Sequence, residues 1–110
     1  MPGATHGRPF QGLPIAASEV RAWARQHTRH PDAPAVANEL FLAVLASGAD
    51  TVDVQVSTTD RRLKITAVGP HALSLRHSHG PGWRIVAGLS NATGVTTDEH
   101  GLWAQIETGP

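Results

Sequence analysis

The 110-residue sequence has no cysteine. This absence excludes disulfides, iron–sulfur clusters, thiolate zinc sites and cysteine nucleophiles together. Neither sign of charge is in excess, because lysine plus arginine and aspartate plus glutamate both number 9. No uniformly basic field therefore attracts nucleic acid or an anionic membrane. No apolar run approaches the roughly 20 residues of a membrane span. The start lacks the basic-then-apolar order of a signal peptide, which predicts a cytoplasmic location.

The length suits one compact domain and is too short for two. Residues 1–7 are small and rich in glycine and proline, so we predict a disordered N-terminus there. Residues 8–108 are predicted to form the single domain. A short strand is expected from Arg8 to Leu13, closed by Pro14.

Two helices are expected next. Ser18 is a candidate N-cap, and apolar residues at helical spacing follow it up to the break at 30–32. Asp32 is placed to cap a second helix that runs to about Ala46. Residues 40–46 of this helix contain no polar side chain, which predicts burial on most sides. Glu39 is the lone charge in that segment.

The second half predicts two hairpins separated by a loop and a helix. Valines alternate with polar residues over 52–56, as do Leu63, Ile65 and Ala67 further on, with a polar linker between them. Glycine and proline mark 69–82 as a loop or lid. A third helix is expected over about 81–91, and a final hairpin joins 95–97 to 102–107. The order predicts an α+β two-layer sandwich, a mostly antiparallel sheet covered on one face by three helices.

Four segments stand in an order shared with one nucleotide-binding fold. Residues 38–43 resemble a Glu-Leu-x-x-Asn helix motif, and 63–69 a strand that ends in Asp-x-Gly. Residues 79–86 resemble a Gly-x-Gly-Leu-x-Leu-Val turn into a helix, and 101–106 a Thr-Val-Trp-Ala-Glu-Leu strand. Together they resemble the GHKL or Bergerat ATP-binding domain of gyrase and histidine kinases. The layout is most similar to the anti-sigma-factor serine kinases of actinobacteria. The resemblance covers about residues 8–108 and implies a degenerate histidine-kinase-like ATPase domain.

The same resemblance implies a cofactor site that this sequence keeps only in part. The family's asparagine, which supplies an oxygen to Mg²⁺, is replaced by Ala43. Its adenine-binding aspartate has no carboxylate counterpart in 66–69, and its supporting threonine is replaced by Gly101. Glu39 is a relic of the catalytic base. The relic cofactor positions are Glu39, Ala43, Gly69, Gly80, Gly82 and Gly101.

The energies of the missing contacts favour the loss of cofactor binding. An adenine amino group without its acceptor costs about 1–3 kcal/mol, and a missing ligand disturbs the octahedral geometry that Mg²⁺ demands. We therefore predict a pseudo-ATPase that binds no cofactor and has no catalytic residue. The alternative keeps ATP and Mg²⁺, with non-standard adenine contacts, Glu39 and the Gly80–Gly82 turn.

Each candidate also has a structural interpretation. Glu39 is then a carboxylate at the rim of the helix–sheet interface, bonded to a helix N-terminus or an arginine. Gly80 and Gly82 are then a lid hinge rather than a phosphate cradle. His71, His77 and His79 are then a solvated loop, because a zinc site wants three or four ligands at fixed spacing. No metal site is predicted, although zinc on this loop stays a weaker alternative.

The tryptophans are candidates for partner binding, since this residue is enriched at interface hot spots. Trp23 belongs to the apolar stripe of the first helix and is expected in the core. Trp103 alternates with apolar residues and is expected to point away from the helices. Trp83, which opens the third helix, is expected to pack over the nucleotide site. The predicted partner-binding residues are Trp83, Arg84 and Trp103.

These observations predict a non-catalytic regulatory module that binds a protein. By analogy with the relatives, the partner is a sigma factor, an anti-anti-sigma protein or another transcription regulator. A homodimer stays open, whereas direct nucleic-acid and membrane binding are not expected. The alternative function is an active ATP-dependent serine kinase and anti-sigma factor.

Overall fold

The computed structural model describes residues 3–73 and 82–108. Within these ranges the strands and helices alternate in blocks along the chain. The elements are β1 (Ala4–Gln11), a 3₁₀ turn (Pro14–Ala16), α1 (Ala17–His27), α2 (Ala33–Leu45), β2 (Thr51–Thr58), β3 (Arg62–Val68), α3 (Trp83–Leu89), β4 (Ala92–Val95) and β5 (Gly101–Glu107).

The five strands form one antiparallel sheet in the order β1-β2-β3-β5-β4. In β2 the side chains of Val52, Val54 and Val56 are buried, while the residues between them are exposed. This alternation puts one face of the sheet against the helices, while no helix or strand of the described ranges covers the other, which we call the uncovered face. The α+β two-layer sandwich predicted from the sequence is confirmed.

Helix α2 lies at the centre of the apolar layer. Its Leu40, Phe41 and Val44 are fully buried, as the unbroken apolar run predicted. Phe10 of β1 meets both Trp23 and Phe41 edge to face, with ring centroids 5.7 and 6.4 Å apart. Each such buried side chain contributes about 1.5–3 kcal/mol relative to exposure. Trp23 is 5% exposed, so its assignment to the core is confirmed.

The N-terminal strand is longer than the sequence predicted. It begins at Ala4 rather than Arg8, so residues 4–7, which we expected to be disordered, pair with β2. The pairing satisfies backbone groups that a frayed terminus leaves to water. His6 adds a stacked contact with the imidazole of His27, with centroids 4.2 Å apart. Neither the backbone pairing nor the stacking of two imidazoles requires a hydrophobic alternation in the sequence, so the sequence pattern did not predict this part of β1.

The start of α1 also differs from the prediction, because Ser18 is not its N-cap. The chain enters the helix through the 3₁₀ turn, and Ala16 occupies the capping position. The Ser18 hydroxyl donates instead to the carbonyl of Ile15, at 3.3 Å. Pro14 stands in the first turn, where its missing N–H costs no hydrogen bond. It therefore starts a helical turn as well as ending the strand.

The last hairpin begins earlier than predicted. Strand β4 covers Ala92–Val95 rather than 95–97, and α3 ends at Leu89. Residues 96–100 form the turn, in which Glu99 has a positive φ of 64°. A glycine at position 94 weakens the strand signal in the sequence. In the fold, the indole of Trp103 covers it.

Among the helices of the described ranges, none has the length and apolar character needed to cross a bilayer.

Candidate functional site

Glu39 and Gly82 meet where α2 packs against the start of α3. A Cβ on Gly82 would stand 2.6 Å from Oε2 of Glu39 and 3.4 Å from Oε1. Only glycine therefore lets the carboxylate approach this backbone. Glu39 is half-buried, and the first peptide N–H groups of a helix favour negative charge beside them. The carboxylate thus lies close to the start of α3.

Ala43 follows Glu39 by one helical turn and shares its face of α2. It is half-buried and packs against the apolar core together with Leu73 and Trp83. Its methyl group has no atom able to coordinate a cation. On this face of α2, Glu39 therefore carries a charge, whereas Ala43, one turn further along, makes only apolar contacts.

The remaining relic positions are not gathered around Glu39. A Cβ on Gly69 would stand 2.9 Å from Cγ1 of Val44 and 3.1 Å from Cβ of Ala49, at the C-terminal end of α2. Gly101 pairs with Val68, and a Cβ there would stand 2.7 Å from Cγ2 of Val68. Since Leu102 is buried under the helices, alternation puts Gly101 on the uncovered face.

Part of the predicted site lies outside the described residues. Gly80, His77 and His79 all fall in 74–81, between the two described ranges. His71, just before this segment, is exposed. The described residues contain no group of three side chains arranged to hold a metal ion.

The turn between β4 and β5 uses its polar groups on itself. The Asp98 carboxylate accepts hydrogen bonds from the Thr96 hydroxyl and from the His100 backbone N–H. These two bonds, the Thr96 one foremost, lower the pKa of the Asp98 carboxyl from its usual value. Thr96 also accepts from the Gly101 N–H at 2.9 Å. The network fixes the turn in which Glu99 takes its positive φ.

The residues of a Mg-ATP site, which the resemblance implies, do not fit that cofactor here. A phosphate group at the start of α3 would lie beside the Glu39 carboxylate. These two negative charges would repel each other, which opposes binding. Within 66–69, where the resemblance would place the adenine-binding aspartate, Ala67 is fully buried between Val54 and Leu102 in the sheet, and its methyl side chain cannot accept a hydrogen bond from an amino group. At these two described positions the side chains therefore do not suit the cofactor.

The uncovered face of the sheet presents Trp103 on β5, next to the edge strand β4. The residue is half-buried, although no helix lies over it, because its ring lies across Gly94 in the next strand. The ammonium group of Lys64 stands 4.9 Å from the ring centroid, a cation–π contact. The expectation that Trp103 points away from the helices is confirmed by its alternation with buried Leu102 and Ala104.

A depression of about 390 Å³ lies on this same face toward β1. Its lining includes Gly7, Pro9, Asp53, Gln55 and Val68. Gly7 and Gln55 belong to the cross-strand row that continues through Thr66 to Trp103. This depression was not predicted, because residues 4–7 were expected to form a disordered end. A signal was present in Gly7 and Pro9, since both are small and unusual within a strand.

Trp83 and Arg84 lie on α3, away from Trp103. Trp83 is half-buried and packs against the core. Arg84 is exposed, and Ile85 beside it is 44% exposed. The three predicted partner-binding residues therefore belong to two separate surfaces of the molecule.

No protein-family model matches this sequence. A search of curated proteins also returned no significant match. The resemblance to the Bergerat fold and to anti-sigma-factor kinases thus stays a prediction from the quoted motifs.

Proposed function

We propose that this chain is a non-catalytic regulatory module, a degenerate relative of Bergerat-fold ATPases that works by binding a protein. Its partner is a transcription regulator such as a sigma factor or an anti-anti-sigma protein. The single observation that supports the loss of catalysis is the approach of the Glu39 carboxylate to Gly82, where an added Cβ would stand 2.6 Å from Oε2.

That approach supports the proposal because the carboxylate lies beside the start of α3, where the resemblance would place a phosphate group. A carboxylate this close to Gly82 repels a phosphate group that would bind at the start of α3. Ala43, one turn further, offers no oxygen to a cation that would neutralise the repulsion. Glu39 then stabilises the start of α3 and has no catalytic duty.

The fully buried Ala67 supports the same conclusion from the sheet side. A ligand amino group placed against Ala67 would lose its hydrogen bond to water without gaining a protein acceptor, at a cost of about 1–3 kcal/mol. At about 1.4 kcal/mol per tenfold, this term alone weakens binding by roughly fivefold to a hundredfold. The repulsion at Glu39 adds to it.

Isothermal titration with ATP, with and without Mg²⁺, tests the proposal. We expect no saturable heat below about 1 mM ATP, which corresponds to about −4 kcal/mol. Glu39→Gln, which removes the charge but keeps the shape, is the matched variant. Micromolar binding that requires Mg²⁺ would overturn the proposal and favour the active serine kinase.

The uncovered face around Trp103 is the surface we assign to the partner. It combines a tryptophan, the kind of residue that anchors interfaces, with the depression beside Gln55 and few charges. Gln55→Arg puts a long cation on this face without removing a core contact, since Gln55 is exposed. Gln26→Arg makes the same change at an exposed position of α1.

Affinity capture from the native host, followed by mass spectrometry, names the partner and compares the two variants. We expect Gln55→Arg to lose a transcription regulator that the unchanged chain and Gln26→Arg both retain. Equal retention by both variants would move the interface away from this face, and Arg84→Gln then tests α3. A captured partner with no link to transcription would contradict the regulatory assignment.

A further inference from the structure

A second cavity, of about 550 Å³, opens at the end of the molecule where the β2–β3 turn approaches the connection between α1 and α2. This volume lies within the range of about 300–1,000 Å³ that is common for small-molecule sites. The lining residues include two arginines, two histidines and several hydroxyl-bearing side chains, among them Arg29, Arg62, His27, His30, Thr28 and Thr58.

The charges that line this cavity have one sign. Both arginines are permanently positive, and no carboxylate belongs to the lining among the described residues. Glu107 stands opposite Arg62 in the β3–β5 pairing, whereas Arg29 lies in the connection between α1 and α2.

The local hydrogen bonds leave donors available for a ligand. The backbone N–H of Asp32 donates to Nδ1 of His30 at 3.1 Å. A neutral His30 therefore carries its proton on Nε2, where it is a donor. The His30 N–H in turn donates to the Thr28 hydroxyl oxygen at 3.2 Å, so this hydroxyl keeps its own hydrogen to donate.

The imidazole of His27 is held in place by aromatic neighbours. It stacks on His6 at 4.2 Å between centroids and meets Trp23 at 5.0 Å. A ring fixed in this way loses little conformational freedom when it contacts a ligand, which favours binding.

We propose that this cavity binds a small phosphate monoester. Two guanidinium groups match the two charges of such a dianion, and each fork can donate two parallel hydrogen bonds to its oxygens. Hydroxyl and imidazole donors complete the coordination of the remaining oxygens. A carboxylate ligand would need only one of the two arginines. This inference does not depend on the proposed function, because it uses none of the residues around Glu39 or Trp103.

Titration of the ¹⁵N-labelled chain with glycerol phosphate, followed by amide chemical shifts at constant ionic strength, tests the proposal. We expect saturable shifts in residues 27–31 and 58–63, with Kd near about 1 mM. Arg29→Gln and Arg62→Gln should each weaken binding about tenfold, and Arg29→Lys less, since lysine keeps the charge but loses the fork. Thermal melting of each variant verifies that it folds.

Arg25→Gln is the matched control, because Arg25 is an exposed arginine of α1 that does not line the cavity. We expect its affinity to stay within about twofold of the unchanged chain. Equal weakening by Arg25→Gln, no saturation up to about 30 mM ester, or identical shifts with acetate would each overturn the proposal. Cosedimentation with phosphatidic acid vesicles in the absence of glycerol phosphate binding would also overturn it, in favour of a lipid surface.

Discussion

Replacing Gly94 with alanine is predicted to destabilise the fold, although the position lies on an uncovered face. A Cβ at this position would stand 2.6 Å from Cζ2 and 2.8 Å from Nε1 of Trp103. Ordinary contacts between carbon atoms are about 3.5–4.0 Å, so the indole must shift by about 1 Å. The shift also disturbs the contact with Lys64, whose ammonium stands 4.9 Å from the ring centroid.

The opposing terms give the expected magnitude. Forcing an extra methyl into a packed contact costs about 1–3 kcal/mol, and an exposed cation–π contact contributes about 0.5–1 kcal/mol. Replacing glycine restricts the unfolded chain, which returns about 0.4–1 kcal/mol. Because no described helix or strand covers the indole, the ring can shift easily, and we expect a cost at the lower end of the range for overpacking. Gly94→Ala should therefore lower the free energy of unfolding by about 1 kcal/mol.

Gly88→Ala is the matched control, with the opposite expected sign. No atom lies within 4 Å of the position a Cβ would take at Gly88, an exposed residue of α3. Alanine is favoured over glycine in a helix, so this variant should gain about 0.5–1 kcal/mol.

Urea unfolding followed by circular dichroism measures both free energies. The chemical shift of the Gly94 α-protons, which the indole ring current displaces in the unchanged chain, verifies the contact directly. Equal stabilisation by both substitutions would refute the argument, because it would mean that Trp103 does not lie across Gly94.

Two further predictions concern the turn between β4 and β5. The hydrogen bonds from Thr96 and the His100 N–H lower the pKa of the Asp98 carboxyl in the folded chain. Their stabilisation is therefore present above the unfolded pKa of about 3.9 and is lost as the pH falls through the lower folded value. Asp98→Asn should flatten the decline in unfolding free energy below about pH 4, and an unchanged slope in an acid urea series would contradict this. Glu99→Gly should raise the free energy of unfolding by about 0.5–1 kcal/mol, because Glu99 has a φ of 64° that glycine adopts without strain; a lower melting temperature would contradict it.

The parts of the fold that the sequence predicts well are those where one periodicity dominates. Val52, Val54 and Val56 alternate with polar residues because one face of β2 is buried, and the observed strand follows them. The same alternation placed Trp103 on the uncovered face. In these segments the local pattern and the tertiary environment require the same residues, so local reasoning was sufficient.

The parts that could not be predicted depend on contacts between distant residues. The inward positions of β1 include His6, whose partner His27 is 21 residues away. An edge strand with a stacked imidazole pair in place of an apolar side chain has no hydrophobic signal. Glu39 and Gly82 are likewise joined only by the packing of α2 on α3. The sequence contained both residues as candidates but could not show that they touch.

Because Glu39 and Trp103 lie on opposite sides of the sheet, the ATP titration and the partner capture test separate parts of the molecule. Glu39 lies in the helical layer, whereas Trp103 lies across Gly94 on the opposite face of the sheet. The effects of substitutions at separated sites with no shared contacts usually add. Glu39→Gln should therefore leave partner capture unchanged, and Gln55→Arg should leave the ATP titration unchanged. If either change crossed to the other readout, the two faces would be energetically coupled, and a regulatory protein would then have a route by which nucleotide or phosphate could control its partner.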